Sequence, residues 1–267
     1  MTTDQNARRD TEAANPPKPR PSAGRQAASF GRELLFVVVG AIVVSSLLRA
    51  FVGQMFIIPS KSMQSTLLEG DRVVVQKITD FHRGDVVVFE DPGGWLPDEP
   101  VADPGPVARV LEFVGVPTSS TPGHLIKRVI GMPGDKVVCC DSQGRMTVNG
   151  YALDETSYLY TNPNGTQVVP SDVEFTVVVP KGRIFVMGDH RDLSADSRCH
   201  LSDSSSTEPR GYVAFVPENL VVGPAFGIAA PFDRAKRLKA PATFAGVPPP
   251  KEPAPDKPTI EPAGVSC

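Results

Sequence analysis

The chain has 267 residues and a formal net charge of −3. This length suits one large domain or two small ones, and the slightly acidic balance argues against a nucleic-acid partner, which usually requires a basic excess or patch. The four cysteines are too few for a disulfide scaffold and lack the spacing of a zinc site.

Residues 1–32 are polar and rich in Ala, Pro and Arg, with no apolar periodicity. Such a segment cannot bury enough apolar surface to offset the entropy lost on folding. We therefore predict a disordered N-terminal segment, in which six basic residues stand against three acidic ones.

Residues 34–48 are apolar apart from two serines and a glycine. This run is shorter than the roughly 20 residues of a typical span, but Glu33 and Arg49 can extend their charged ends toward the interfaces. A cleavable secretory signal is one alternative, although its leading segment would be long and no Ala-x-Ala site follows. A buried core helix is the other. We predict a single transmembrane helix over 33–53.

The orientation of this anchor follows from charge. Basic residues precede the span, so the N-terminus is expected in the cytoplasm and everything after Arg49 outside it. The lipid bilayer is therefore an expected partner.

From residue 54 onward, short β-branched runs alternate with turn residues, which is typical of an antiparallel β domain. Residues 91–106 form an insertion rich in Gly and Pro that we predict as a surface loop, and 107–114 fit a strand or a short helix equally well. Asn149-Gly150 is a hairpin signal. The predicted fold is mainly β over residues 54–234, with strands near 72–77, 85–89, 125–130, 136–140, 146–148, 174–179, 183–187, 212–216 and 220–228.

Residues 235–267 begin with a basic patch, and eight prolines fall between Pro241 and Pro262. This composition is typical of an extended segment without a core. We predict a Pro-rich disordered tail.

Three blocks of this sequence, in this order behind the apolar run, carry a resemblance. They are residues 56–63 (Phe-Ile-Ile-Pro-Ser-Lys-Ser-Met), 125–135 (Leu-Ile-Lys-Arg-Val-Ile-Gly-Met-Pro-Gly-Asp) and 188–198 (Gly-Asp-His-Arg-Asp-Leu-Ser-Ala-Asp-Ser-Arg). Together they resemble the bacterial type I signal peptidases, which are membrane-anchored serine endopeptidases with a Ser/Lys dyad. The resemblance spans roughly residues 34–234 and implies a signal-peptidase-like antiparallel β domain. Residues 91–123 have no counterpart that can be aligned to it.

The resemblance implies catalytic roles for two residues. Ser62 is the expected nucleophile, which needs a neighbouring base to become reactive. None of the four histidines has a triad-like context, and the resemblance places the base at Lys127. Without it, a strand lysine would ordinarily be a solvated surface residue. A lysine, whose ordinary pKa is about 10.4, must be buried among apolar groups to lose its proton readily.

Two further serines are implied in the same site. In an extended segment residues i and i+2 share a face, so Ser60 can reach the site of Ser62, and the resemblance gives it a role in the oxyanion hole. Ser194 matches the serine that orients the lysine. His190 stands where the family frequently has asparagine.

The remaining site residues are expected to be walls and supports. Shallow apolar pockets for the substrate are predicted from Phe56, Ile58, Pro59 and Ile126. A buried charge network supporting the site is predicted from Asp189, Arg191, Asp196 and Arg198. No metal or cofactor is expected.

The implied substrates are the signal peptides of secreted preproteins, cleaved after a small-x-small sequence beside the membrane. Two alternatives remain open: another Ser/Lys protease of the same general fold, such as a self-cleaving repressor, or a non-enzymatic membrane-anchored protein that binds peptides. In an oxidising compartment, Cys199 is expected to pair with Cys139 or Cys140.

Overall fold

The computed structural model describes residues 23–51, 53–97, 105, 123–205, 208–262 and 267. The chain divides into two compact units, residues 1–43 and 44–267. Within the described part, the one α-helix is α1 (Ala23–Phe51).

Helix α1 begins earlier than the sequence predicts. Residues 23–32 are helical, so the prediction of disorder is wrong there, and residues 1–22 lie outside the described residues. The last proline before the helix is Pro21, and the Ala, Gln and Arg residues that follow it are good helix formers. Gly53, predicted as the end of the anchor, belongs to the first strand. No helix within the described ranges is both long and apolar enough to cross a membrane.

Thirteen short strands lie in the described part of the second unit and form two antiparallel sheets. In chain order they are β1 (Gly53–Ile57), β2 (Arg72–Gln76), β3 (Val86–Glu90), β4 (His124–Gly131), β5 (Lys136–Cys139), β6 (Thr147–Val148), β7 (Tyr151–Ala152), β8 (Phe175–Val178), β9 (Arg183–Met187), β10 (Val216–Pro217), β11 (Val221–Ala230), β12 (Lys236–Arg237) and β13 (Thr259–Glu261). The predicted mainly β domain is confirmed.

The larger sheet has the strand order β1-β2-β11-β3-β4-β9-β10, with β12 paired to β11. Strand β11 joins its two halves, because its first residues pair with β3 and its later ones with β2. Gly223 lies at the changeover, where an added Cβ would meet the Gln76 carbonyl oxygen at 2.0 Å. Only glycine permits this close approach.

The smaller sheet has the order β13-β8-β5-β6-β7. Its β6–β7 hairpin turns at Asn149 and Gly150, whose φ angles are 53° and 82°. Two positive φ angles define the type I′ turn that Asn-Gly favours, so this predicted hairpin is confirmed. The run predicted as a strand at 212–216 is instead a 3₁₀ helix (Tyr212–Ala214) followed by β10.

The proline-rich C-terminal segment is ordered over its described residues, 235–262 and 267, so the prediction of a disordered tail is wrong. Phe244 and Val247 are buried in the core beside the smaller sheet, and β13 pairs with β8 at the edge of that sheet. Proline is tolerated beside an edge strand, and the interspersed apolar side chains anchor the chain between prolines.

The disulfides also differ from the predicted pairing. Cys199 is bonded to Cys267, and Cys139 is bonded to its neighbour Cys140. The partner of Cys199 could not be anticipated from a segment predicted to be disordered.

Candidate active site

Buried apolar side chains fix the turn that carries Ser62. After β1, the chain continues its pairing through Ile58, whose N–H donates to the Asp71 carbonyl at 2.9 Å. A tight turn follows, with Leu67 N–H donating to the Met63 carbonyl at 2.9 Å. Met63 and Leu67 are fully buried, so the backbone of Ser62 is held against the core.

Ser62 and Lys127 are in direct contact. Lys127 Nζ lies 2.8 Å from Ser62 Oγ, and both residues are buried, with exposed fractions of 4% for Lys127 and 5% for Ser62. Burial lowers the pKa of Lys127 to about 8, although the charges of Asp196 and Asp189 partly oppose this effect. With a pKa of about 8, roughly a tenth of the amine is neutral at pH 7, and a base for a serine hydroxyl must be in this neutral form.

Ser60 also reaches this pair. Its Oγ lies 3.3 Å from Ser62 Oγ, so the two hydroxyls share one side of the segment as the i, i+2 spacing predicts. Ser60 is the more exposed of the two, which leaves its hydroxyl accessible to a group bound beside the nucleophile.

Ser194 is buried close to the site, but the expected hydrogen bond to Lys127 is not formed. Among the described residues, its hydroxyl has no partner of hydrogen-bond geometry. It lies near the Asp196 carboxyl, whose pKa burial alone would raise; Arg198 lowers that pKa most, and Ser194 contributes in the same direction. Gly188 separates Ser194 from the nucleophile turn, since an added Cβ would meet Ser194 Oγ at 2.3 Å and the Ser62 carbonyl oxygen at 2.5 Å.

His190 holds the nucleophile turn, a role that sequence reasoning missed. Its backbone N–H donates to the Ser62 carbonyl at 3.0 Å, and its ring stacks on Tyr160 with centroids 3.8 Å apart. Burial lowers the pKa of His190, so the ring is neutral. The only sequence signal was a histidine within the third block.

The four predicted support residues are all buried, but they form separate ion pairs rather than one network among themselves. Arg198 pairs with Asp196 at 2.9 Å, whereas Asp189 and Arg191 take partners that sequence reasoning did not assign. Those partners are Arg128, which binds Asp189 through two hydrogen bonds, and Glu155, 2.6 Å from Arg191. Arg198 Nη2 links two of the pairs by donating to the Arg191 carbonyl at 2.8 Å.

A small cleft opens beside the reacting pair, with a volume of about 130 Å³. The structure brings all four predicted pocket residues together here, since Phe56, Ile58, Pro59 and Ile126 line it along with Ser60 and Lys127. Leu96 and His124, which were not predicted, also line the cleft. No cluster of His, Cys, Asp and Glu within the described residues is arranged to hold a metal ion.

Comparison with known proteins gives a consistent result. The family described as "Signal peptidase, peptidase S26" matches residues 31–229. "Signal peptidase I" of Mycobacterium tuberculosis (strain ATCC 25618 / H37Rv) is 35% identical over 253 residues, which cover 86% of this chain and 82% of the relative. "Signal peptidase I" of Bacillus licheniformis is 30% identical over 193 residues, covering 69% of this chain and 87% of the relative.

Among solved structures, a signal peptidase I from Enterococcus faecalis V583 is 22% identical and covers 55% of this chain and 97% of its own, with a TM-score of 0.29. That score is too low for a comparison of architectures. The match of the family over residues 31–229 and the mycobacterial identity confirm the resemblance drawn from the three sequence blocks. The chain belongs to the signal peptidase family, peptidase S26.

Proposed function

We propose that this protein is a membrane-anchored serine endopeptidase that cleaves signal peptides from secreted preproteins after small-x-small sequences. The observation that carries the proposal is the 2.8 Å contact between Ser62 Oγ and Lys127 Nζ, together with the pKa of about 8 for that amine. Membership of the signal peptidase family supports the substrate class.

In the first step, the neutral Lys127 amine takes the proton of the Ser62 hydroxyl while Oγ attacks the carbonyl carbon of the scissile bond. The resulting tetrahedral intermediate bears a negative oxygen. The Ser60 hydroxyl, 3.3 Å from Ser62 Oγ, and the Ser62 backbone N–H are the donors proposed for that oxygen. Such donors act strongly because they are in place before the charge develops.

In the second step, the Lys127 ammonium returns its proton to the departing amine, and the signal peptide remains esterified to Ser62. Lys127, neutral again, then activates a water molecule that hydrolyses the ester. During both steps, the hydrogen bond from the His190 backbone N–H to the Ser62 carbonyl keeps Ser62 in place. We assign Ser194 to positioning of the Lys127 amine, which would require rotation of its hydroxyl or a small shift on substrate binding.

The cleft suits an extended peptide with small side chains. Residues 124–127 of β4 pair with β3 on one side, while the pairing of β4 with β9 begins only at Arg128. Within the described residues, no strand pairs with the other edge of 125–127, so an added peptide strand can bind there and place its alternate side chains in pockets. A cleft of about 130 Å³ with apolar walls favours small residues there.

The bilayer remains the proposed location of α1. Residues 34–48 contain no charged side chain, and Leu34, Leu35, Phe36 and Val37 are at least half exposed. Such a surface is unfavourable in water, and the basic excess before it favours a cytoplasmic N-terminus with the β domain outside. Protease added to intact spheroplasts should digest the β domain and spare residues 1–32. Protection of the β domain would contradict this orientation.

The full chain, purified in detergent, should cleave a preprotein once, and N-terminal sequencing of the product should place the cut after a small-x-small sequence. Ser62→Ala is the matched control and should be inactive. Binding of the preprotein without cleavage would favour the non-enzymatic adaptor. Self-cleavage without cleavage of the preprotein would favour a different Ser/Lys protease.

A further inference from the structure

Residues 91–97, which follow β3, form a turn closed by hydrogen bonds. Leu96 of this turn lines the substrate cleft. The Asp91 carboxylate accepts three backbone hydrogen bonds, from Gly93 at 2.9 Å and from Trp95 and Leu96 at 3.2 Å each. The Asp91 N–H donates to the Gly123 carbonyl at 2.8 Å, just before β4. An aspartate that satisfies several following N–H groups fixes the local backbone, so the position of Leu96 is well defined.

Trp95 anchors this turn in the core. Its side chain is 7% exposed, its ring stacks on His200 with centroids 4.5 Å apart, and it meets Phe89 edge-on at 5.8 Å. Its Nε1–H donates to the Val213 carbonyl at 3.0 Å. A buried indole with two ring contacts and a satisfied N–H has little freedom to move.

The anchoring of Trp95 places the next residue in the cleft. Strand β3 alternates between two cores, and Trp95 packs in the one that contains Val87 and Phe89. Leu96 instead lines the cleft with Val88 and Ile126, which belong to the other core. Ser60 and Lys127 line this same cleft, so the half-buried Leu96 side chain stands beside the proposed reaction centre.

We propose that Leu96 is a specificity-determining residue, whose side chain closes one wall of the cleft and restricts it to small substrate side chains. The inference rests on the proposed function, because it takes the substrate to be a small-x-small peptide. Apolar walls discriminate by size, and one methylene in such a pocket changes selectivity by about 10- to 200-fold. Shortening Leu96 removes several carbon atoms from the wall and should enlarge the space available to the peptide.

The test measures binding selectivity, so it does not depend on catalysis. In full-length Ser62→Ala protein in detergent, fluorescence anisotropy gives Kd for labelled Ala-x-Ala peptides and for peptides with leucine at the first or the last small position. Adding Leu96→Ala should reduce the preference for alanine by roughly tenfold at one of these positions. Asp91→Ala, which releases the turn, should act in the same direction. Leu96→Phe should strengthen the preference for alanine.

Ile78→Ala is the matched control, because Ile78 is an apolar residue with an exposed fraction of 68% that does not line the cleft. The inference is overturned if Leu96→Ala leaves the preference unchanged at both positions, or if Ile78→Ala reduces it equally. Cleavage of the Ala-x-Ala peptide by the wild-type protein is measured separately. Failure of that cleavage would contradict the proposed function, whereas the ratio of Kd values still decides the role of Leu96.

Discussion

Lys127 and Arg128 are consecutive residues of β4, and both are almost completely buried, with exposed fractions of 4% and 2%. Arg128 binds both oxygens of the Asp189 carboxylate, at 2.7 and 2.5 Å, and donates to the Gly84 carbonyl. Among the described residues, the Lys127 amine hydrogen-bonds only the neutral hydroxyl of Ser62, and no carboxylate lies within ion-pair distance of it.

The protonation of the two side chains differs accordingly. Burial opposes the charge of both. For Arg128 the Asp189 carboxylate overcomes that effect and raises the pKa, whereas for Lys127 burial dominates and lowers the pKa to about 8. One strand thus holds a permanent cation that organises the core and an amine that can exchange a proton. The difference shows that burial lowers the pKa of a lysine where the fold places no counterion beside it.

Exchanging the two cation types should cause the largest loss of activity. Lys127→Arg keeps a long cationic side chain, but arginine cannot lose its proton in a protein. A missing general base typically costs about 10²- to 10⁴-fold, so we expect kcat to fall by at least this factor. Arg128→Lys is the matched exchange and should retain the catalytic base. Substantial turnover by purified, folded Lys127→Arg would exclude Lys127 as the base.

Removing the counterion of Arg128 tests whether its buried ion pair stabilises the folded state. Asp189→Ala leaves a buried guanidinium without its carboxylate, which typically costs about 3–5 kcal/mol of unfolding free energy. Asp141→Ala serves as the control, because Asp141 pairs with the half-exposed Arg145 at the surface, where solvent weakens such pairs and the loss should be smaller. Equal losses in the two variants, measured by denaturant unfolding, would show that burial of the Arg128 pair is unimportant.

Ser60→Ala tests whether the Ser60 hydroxyl stabilises the oxyanion. If the Ser60 hydroxyl donates to the oxyanion, its loss should raise the barrier by about 2.7–4 kcal/mol and leave weak activity, whereas Ser62→Ala should leave none that depends on the dyad. KM should change little, because the donor acts mainly on the transition state. Near wild-type kcat in Ser60→Ala would return this serine to a purely local role in the turn.

The smallest expected effect is a gain in stability. A fall in pKa from 10.5 to about 8 corresponds to roughly 3 kcal/mol paid by the folded state below pH 8. Lys127→Met should therefore have a higher free energy of unfolding near pH 7. After the loss of the contact with Ser62 is subtracted, we expect a gain of about 1–3 kcal/mol in denaturant titrations. The wild type should recover stability relative to this variant as the pH rises from 8 to 10.5, where only the unfolded state still binds the proton. An unchanged difference across that window would contradict the shifted pKa.

The elements that the sequence predicts well are those with local signals. Val86–Glu90 and His124–Gly131 are strands because β-branched residues are dense there, and the Asn149-Gly150 turn needs only its two residues. Ser62 and Lys127 are 65 positions apart, and no local pattern joins them. Their pairing was accessible only through the resemblance to a family.

The missed features depend on distant contacts. Glu155 lies 36 positions from Arg191, and its role as counterion has no sequence signal. The C-terminal segment is predicted as disordered from its proline content. Composition does not show that Phe244 and Val247 are placed to anchor it in the core. Likewise, Leu96 lies in a segment predicted as a surface loop, and the buried stacking of Trp95 on His200 shows that its described residues 91–97 are fixed beside the cleft.

The most direct test of the central claim is the pH dependence of kcat/KM on an Ala-x-Ala peptide, since this quantity reports the ionisation of the free enzyme. Because the base must be neutral, activity should rise with pH through a pKa of about 8 and then level off. The same profile in His190→Asn should keep that pKa, which would exclude His190 as its source. A rise centred near 10.5, the ordinary value for lysine, or near 6.5 and lost with His190, would contradict the claim that an unpaired, buried Lys127 is the base.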